Sequence, residues 1–292
     1  MSQIPRETFL NPTSLHDGGR GIEAFFNHSD VLTQGEYHCH DYYEFYIHLS
    51  GGQYYGIGEK LYQLEPNQLF VIPPYVMHGL SFDSPLINYE RGFFNVSTEA
   101  LRVLGFGQLD LDRFFRSCAS MGYYTFQLSR AEGERCVASI KRVRELLGER
   151  DELSLYYSYG ELSSFLAFVC GCEQKSRVVT DTVGQDAVIS EVLTYINANY
   201  TQSMKVAELA RRFGVSVSYL SREFAKLTHR SVYEYILYCR IALAKQLMRS
   251  ELSLNAIAYQ CGFGDYSNFL RLFGKMEGVS PSAYRRKLRG RE

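Results

Sequence analysis

The C-terminal third of this chain contains the same sequence pattern twice. Around residues 206–224, and again around residues 254–273, a short segment with apolar residues at helical spacing leads to a glycine, and a second such segment follows. The corresponding pairs include Leu209 and Ile257, Ala210 and Ala258, Gly214 and Gly262, Ser218 and Ser267, Leu220 and Phe269, Arg222 and Arg271, and Phe224 and Phe273. A small alanine lets two helices cross closely, and glycine adopts the positive φ angle that a tight helix end requires. The repeat therefore predicts two helix-turn-helix units.

A longer segment with helical periodicity, residues 231–249, lies between the two copies and is predicted to be a helix that fixes their spacing. The predicted helices of this part of the chain lie near residues 187–199, 205–212, 216–227, 231–249, 254–260 and 266–276, with a short one after Pro281.

The outer face of the second helix in each unit is the predicted DNA-reading surface. We expect its contacts to come from Ser218, Ser221 and Arg222 of the first unit and from Tyr266, Ser267, Asn268 and Arg271 of the second. Arginine can donate two hydrogen bonds to guanine or bind a phosphate, and serine can contact a base edge or the backbone. One such motif also occurs as plain helix packing, but two copies with matching serine and arginine favour binding to two major-groove segments roughly 10 bp apart.

The two units are not equivalent. Leu270 stands where the first copy has Ser221, and Gly274 also lies on the predicted outer face. We therefore expect the second unit to make fewer base-specific hydrogen bonds than the first.

Charge is distributed unevenly along the chain. Residues 186–292 carry sixteen Lys and Arg against nine Asp and Glu, whereas residues 1–185 carry fifteen against twenty-three. The positive excess of the C-terminal part suits a nucleic-acid partner. Residues 173–185 are polar and aperiodic, as linkers are. The predicted organisation is a first domain over 1–172, a linker over 173–185 and a second domain over 186–292.

The first domain begins with a polar arm and continues with a sequence pattern typical of short β-strands. Short apolar and aromatic runs separated by turn residues extend from about residue 23 to residue 96, which predicts a sandwich or small barrel. Predicted strands lie at 44–49, 53–56, 61–64, 68–72 and 80–82, and predicted amphipathic helices lie at 134–147 and 155–172. The fold class is therefore α+β with two domains: a β-barrel with appended helices, then an all-α domain with two helix-turn-helix units.

Residues 186–289 resemble the AraC/XylS family of bacterial transcription regulators. The resemblance is carried mainly by the second unit, in Ala256-Ile257-Ala258-x-x-x-Gly262-Phe263, Ser267-x-Phe269-x-Arg271-x-Phe273-x-Lys275 and Ser280-Pro281-x-x-Tyr284-Arg285. It implies a homodimeric regulator, usually an activator, that binds promoter DNA and acts on RNA polymerase. It also implies that the N-terminal domain senses a small molecule, often a sugar, and that the helices beside it dimerise.

Two motifs of the first domain resemble those of a cupin barrel. They are His38-x-His40-x3-Glu44-x6-Gly51 and Pro73-Pro74-x3-His78, although the usual glycine before the first histidine is absent. In enzymatic cupins the equivalents of these histidines and of Glu44 bind Fe, Mn, Ni or Zn. Three interpretations stay open: the residues bind a metal, line an effector pocket without metal, or hydrogen-bond within the barrel.

We expect these residues to line an effector pocket, with no metal and no other cofactor. The pocket residues are predicted to be His38, His40, Glu44, Tyr46 and His78. Alternation along the strand places Glu44, Tyr46 and His48 on one face, which would suit a hydroxylated ligand. The predicted protein is not an enzyme; the alternative is a metal-dependent cupin enzyme with an accessory DNA-binding tail.

The cysteines and the apolar runs indicate the compartment. Seven cysteines are scattered along the chain and match no metal or disulfide pattern, as expected for free thiols in a reducing compartment. The N-terminal segment has no apolar signal core, and the longest nearly apolar run, residues 164–172, is too short to span a bilayer. We therefore predict a cytoplasmic protein without a membrane partner.

Overall fold

The computed structural model describes residues 20–33, 35, 37–58, 60–120, 125–149, 151–174, 187–228 and 230–289. The predicted N-terminal arm up to residue 19 and residues 175–185 of the predicted linker lie outside the described residues. The helix that precedes the linker ends at Gln174, so it includes the first two residues assigned to the linker. The next helix begins at Ala187.

The described part of the first domain contains two antiparallel sheets. The strands are β1 (Ile22–Leu32), β2 (Tyr43–Ser50), β3 (Tyr54–Ile57), β4 (Lys60–Gln63), β5 (Gln68–Ile72), β6 (His78–Ser81), β7 (Leu86–Val96) and β8 (Thr125–Gln127). One sheet has the order β1-β7-β2-β5-β8 and the other the order β4-β3-β6. The five predicted strands correspond to β2 through β6 within two residues at each end.

Strand β2 separates two cores because its side chains alternate between the faces of the sheet. Phe45 and Ile47 belong to an apolar core with the appended helices, whereas Tyr46 belongs to a second core between the sheets. The predicted alternation along β2 is therefore confirmed.

The appended helices cover the outer face of the five-stranded sheet. They are α1 (Thr98–Leu104), α2 (Leu111–Ser120), α3 (Arg130–Glu149) and α4 (Glu152–Gln174). The Phe165 ring of α4 packs edge-on against Phe45 and Phe94, with ring centroids 5.8 and 4.9 Å apart. Such aromatic pairs bury large apolar areas, so α3 and α4 form one core with the sheet.

The second domain is helical. Its helices are α5 (Ala187–Asn199), α6 (Val206–Arg212), α7 (Val217–Thr228), α8 (Val232–Leu247), α9 (Leu254–Gln260), α10 (Tyr266–Glu277) and α11 (Pro281–Arg289). All the helices predicted for this domain are confirmed, with ends that differ by two residues or fewer. Helix α8 contributes Ile236 to the core of the first unit and Ile241 to the core of the second, so it joins the two units rigidly.

Across the described ranges of both domains, none of the helices combines the length and the apolar character needed to cross a membrane.

Candidate functional site

The two helix-turn-helix units share the same turn geometry. The amide of Val215 donates to the carbonyl of Ala210 at 3.0 Å, and the amide of Phe263 donates to the carbonyl of Ala258 at the same distance. Each bond connects the turn between the two helices of a unit back to the first helix, which is α6 in one unit and α9 in the other. The sequence duplication is therefore a duplication of backbone structure.

The part of the predicted DNA-reading surface that belongs to the first unit, its reading face, is polar and open to solvent. Ser218, Ser221 and Arg222 on α7 are all exposed, while Leu220 and Phe224 on the opposite side are fully buried. The Arg222 Nε donates to the Glu223 carboxylate at 2.8 Å, but 69% of the arginine side chain remains exposed. A surface ion pair of this kind contributes little energy and can be exchanged for a base or a phosphate.

On the reading face of the second unit, side chains form hydrogen bonds at the start of α10 and along it. Asp265 caps α10 by accepting hydrogen bonds from the amides of Ser267 and Asn268, and Asn268 Oδ1 accepts a hydrogen bond from Arg271 at 2.8 Å. Ser267 and Arg271 are exposed, whereas Tyr266 and Asn268 are half-buried. The 38% exposure of Leu270 places an apolar side chain on this face, as the sequence predicts.

Four side chains of the first domain converge in a buried cluster. One candidate ligand atom from each of His38, His40, Glu44 and His78 lies within 4.8 Å of those of the other three. His40 Nε2 is 3.2 Å and His78 Nε2 is 3.8 Å from Glu44 Oε2. His38 is held beside His78 by two backbone hydrogen bonds of 2.8 and 2.9 Å. The structure therefore brings together four of the five predicted pocket residues.

The protonation states in the cluster follow from burial and hydrogen bonding. Burial lowers the pKa of His40, although the neighbouring Glu44 opposes the shift. Burial on its own raises the pKa of Glu44, but the neighbouring His40 and His78 outweigh it and hold that pKa well below its usual range. Glu44 is therefore a carboxylate at neutral pH.

Tyr46, the fifth predicted pocket residue, belongs to a neighbouring tyrosine layer. Its hydroxyl is hydrogen-bonded to that of Tyr89, and its ring stacks on Tyr55 at 4.7 Å. The Tyr55 hydroxyl in turn donates to Glu44 Oε1 at 3.3 Å. Tyr46 thus contacts the cluster through Tyr55, and the three rings occupy the space between the sheets.

The structure shows contacts between the two domains that the sequence does not predict. Tyr284 of α11 donates from its hydroxyl to Asp41 Oδ2 at 3.0 Å, and Lys226 of α7 lies 2.9 Å from Asp83 Oδ1. The Arg230 guanidinium donates to the Tyr37 carbonyl. Both helix-turn-helix units are therefore attached to the first domain.

The chain matches two family models. Residues 21–115 match the AraC-like ligand binding domain, and residues 209–287 match a helix-turn-helix domain. The first match includes the buried cluster and the second includes both reading faces.

Curated relatives match this chain over different shares of its length. The HTH-type transcriptional regulator YfiF of Bacillus subtilis (strain 168) is 26% identical over 90% of this chain and 81% of its own length. YdiP of Escherichia coli (strain K12), another HTH-type transcriptional regulator, is 34% identical over 37% of this chain, and the chain spans only 36% of its length. The HTH-type transcriptional activator AarP of Providencia stuartii is 33% identical over 35% of this chain and 76% of its own length. The chain belongs to the AraC family of helix-turn-helix transcription regulators.

Proposed function

We propose that this protein is a sequence-specific DNA-binding regulator that activates transcription in response to a small-molecule effector bound by its first domain. The observation that carries the proposal is the pair of helix-turn-helix units, each of which exposes a serine and an arginine at corresponding positions of its second helix. The partners are promoter DNA and RNA polymerase, the compartment is the cytoplasm, and the protein has no catalytic role. Its relatives are regulators, which disfavours the cupin-enzyme alternative.

The two units suit neighbouring major-groove segments of one DNA duplex. Because α8 belongs to both cores, the units cannot reorient independently without exposing apolar surface. A rigid pair of reading helices would contact segments about one helical turn apart, roughly 10 bp.

Arg222→Ala and Arg271→Ala should each weaken binding to DNA. We expect a loss of about 1–3 kcal/mol for a bidentate base contact. Arg222→Ala should relax sequence specificity more, because the first unit has the fully polar reading face. The DNA would be selected from a random pool with the unmodified protein, and Kd would be measured by fluorescence anisotropy at physiological salt.

Arg142→Ala is the matched control, since this arginine is exposed on α3 of the first domain. Its Kd should equal that of the unmodified protein. An unchanged Kd for the Arg222→Ala/Arg271→Ala double variant would refute the DNA-reading assignment.

We also propose that a second copy of the chain packs on α4. Three large side chains, Leu153, Tyr156 and Tyr157, are 60%, 74% and 56% exposed at the start of this helix. Gly160 continues the exposed side at helical spacing, and a Cβ atom built there would contact nothing within 4 Å. Large exposed apolar groups beside an open helix surface are typical of an interface between chains.

Tyr156→Glu should convert the dimer into a monomer in sedimentation velocity experiments, because a carboxylate would be buried in the interface. Val103→Glu is the control, since Val103 is 56% exposed on α1 of the same domain. A Tyr156→Glu protein that sediments as the unmodified protein does would exclude α4 as the dimer surface.

A further inference from the structure

The cluster of His38, His40, Glu44 and His78 has the hydrogen-bonding pattern of a cation site. The Nδ1 of His40 lies 2.9 Å from the Tyr42 carbonyl, and the Nδ1 of His78 lies 2.8 Å from the Val76 carbonyl. A carbonyl oxygen only accepts, so each Nδ1 must carry the hydrogen. In the neutral imidazoles, each Nε2 then presents its lone pair to the interior of the cluster.

These lone pairs face another acceptor. Glu44 Oε2 is 3.2 Å from His40 Nε2 and 3.8 Å from His78 Nε2, and His78 Nε2 is buried without a hydrogen-bond partner. The Tyr55 hydroxyl donates to the other oxygen of Glu44, Oε1, and does not lie between Oε2 and the two Nε2 atoms. Buried acceptors that converge in this way are costly unless a cation lies between them. A proton on His40 would relieve one contact only, whereas one metal ion would satisfy all of them.

The donor set indicates which kind of ion fits. Imidazole nitrogens suit Zn, Ni, Fe and related transition metals, whereas Mg²⁺ and Ca²⁺ prefer oxygen ligands. Two ligand atoms on a tetrahedral ion at about 2.1 Å are about 3.4 Å apart. The His40–Glu44 and His78–Glu44 separations are already close to that value. Hydrogen bonds from Nδ1 to backbone carbonyls are also the usual support for metal-binding histidines.

The same chain segments contact the DNA-binding domain with their alternate side chains. His38 and His40 point into the cluster, whereas Cys39 is buried in a core with α5 to α8 and Asp41 accepts the hydrogen bond from Tyr284. Met77, which precedes His78, packs into that same core. A movement of the ligands therefore moves the residues on which the DNA-binding domain docks.

We propose that the four residues bind one divalent transition metal ion and that metal binding favours docking of the DNA-binding domain. The regulatory half of this proposal rests on the proposed function, because it names the effector class of the same site; the metal-binding half does not. In the docked arrangement the four ligand atoms are already gathered within 4.8 Å. By thermodynamic linkage, metal binding and docking of the DNA-binding domain must then strengthen each other by the same factor.

Metal binding is tested by titrating the chelator-treated full chain with Co²⁺ and recording the visible absorption of the bound ion. We expect one Co²⁺ per chain, displaced by Zn²⁺, and at least about tenfold weaker binding in Glu44→Gln and in His38→Asn. The control is His28→Ala, an exposed histidine on β1 that is bonded to Asp30. Absence of saturable binding, or equal binding by both cluster variants, would overturn the proposal whether or not the protein binds DNA.

Coupling is tested by substitutions in the DNA-binding domain alone. The Arg230→Ala/Tyr284→Phe variant removes two docking hydrogen bonds far from the ligands in sequence, and we expect its Co²⁺ affinity to fall about fivefold or more. Arg211→Ala/Tyr259→Phe makes the same chemical changes at exposed positions of that domain and should leave the affinity unchanged. Circular dichroism establishes that each variant is folded. Equal affinities for the two folded double variants would overturn the coupling and leave metal binding intact.

Discussion

Lys245→Met is expected to lower the free energy of unfolding of the DNA-binding domain by about 3–5 kcal/mol. Lys245 Nζ lies 3.3 Å from Glu277 Oε2, and only 2% and 3% of the two side chains are exposed. Because Lys245 belongs to α8 and Glu277 ends α10, the pair ties the second reading helix to the helix that joins the units. The substitution would remove the Lys245 cation from beside the buried Glu277 carboxylate, which accounts for the size of the effect.

The double variant Lys245→Met/Glu277→Leu separates the cost of an isolated charge from the value of the ion pair. Two apolar side chains of similar volume should restore most of the lost stability, since such replacements of buried pairs are often neutral. The chain contains no tryptophan, so urea unfolding is best followed by circular dichroism. If the double variant is as unstable as Lys245→Met, the effect comes from packing and not from the buried charge.

The helical domain could be predicted almost completely because its signals are local. Apolar residues such as Leu220 and Phe224 recur at the helical period, and the alanine and glycine of each turn are repeated in the second copy. The structure buries these apolar residues fully and repeats the turn hydrogen bonds. A duplication strengthens such an inference because two segments must satisfy the same packing requirements.

The β domain was predicted less completely. The sequence pattern predicts β2 to β6, which are bounded by turn residues, but it does not separately delimit β1, β7, β8 or the short helices α1 and α2. β1 carries exposed and half-buried polar residues within its eleven, such as Asn27 and Ser29, so it shows no continuous apolar pattern. It is a strand because it pairs with β7 along nearly its whole length. That pairing is a long-range property which local composition does not encode.

The same distinction applies to the candidate sites. Motif spacing was sufficient to predict that His38, His40, Glu44 and His78 lie together, as they do in the structure. The docking contacts of Asp41 and Asp83, and the burial of Lys245, depend on partners far away in the sequence. Charged residues usually lie on the solvated surface. The sequence therefore does not show that these three have structural partners, and only the folded structure does.

Gly262→Ala is expected to destabilise the DNA-binding domain by about 3 kcal/mol, through left-handed backbone strain and a collision. Gly262 has a φ angle of +83°, and a Cβ atom built there lies 2.2 Å from the Thr201 carbonyl oxygen. Thr201 lies between α5 and α6, so the turn of the second unit packs directly against the first unit. The alanine methyl can be accommodated only if the two units move apart, and affinity for DNA that spans both should fall as well.

Gly214→Ala supplies the matched control within the same repeat. Gly214 has a φ angle of +68°, but a Cβ atom built there meets nothing within 4 Å, so only backbone strain of about 1 kcal/mol is expected. The difference between the two variants in urea unfolding therefore measures the collision with Thr201 alone. If both variants lose the same free energy of unfolding, the second unit can shift away from Thr201 without an energetic penalty. Contact between the units would then not set the distance between the reading helices. A larger loss for Gly262→Ala, with weaker binding to DNA, would identify this contact as one that fixes their spacing.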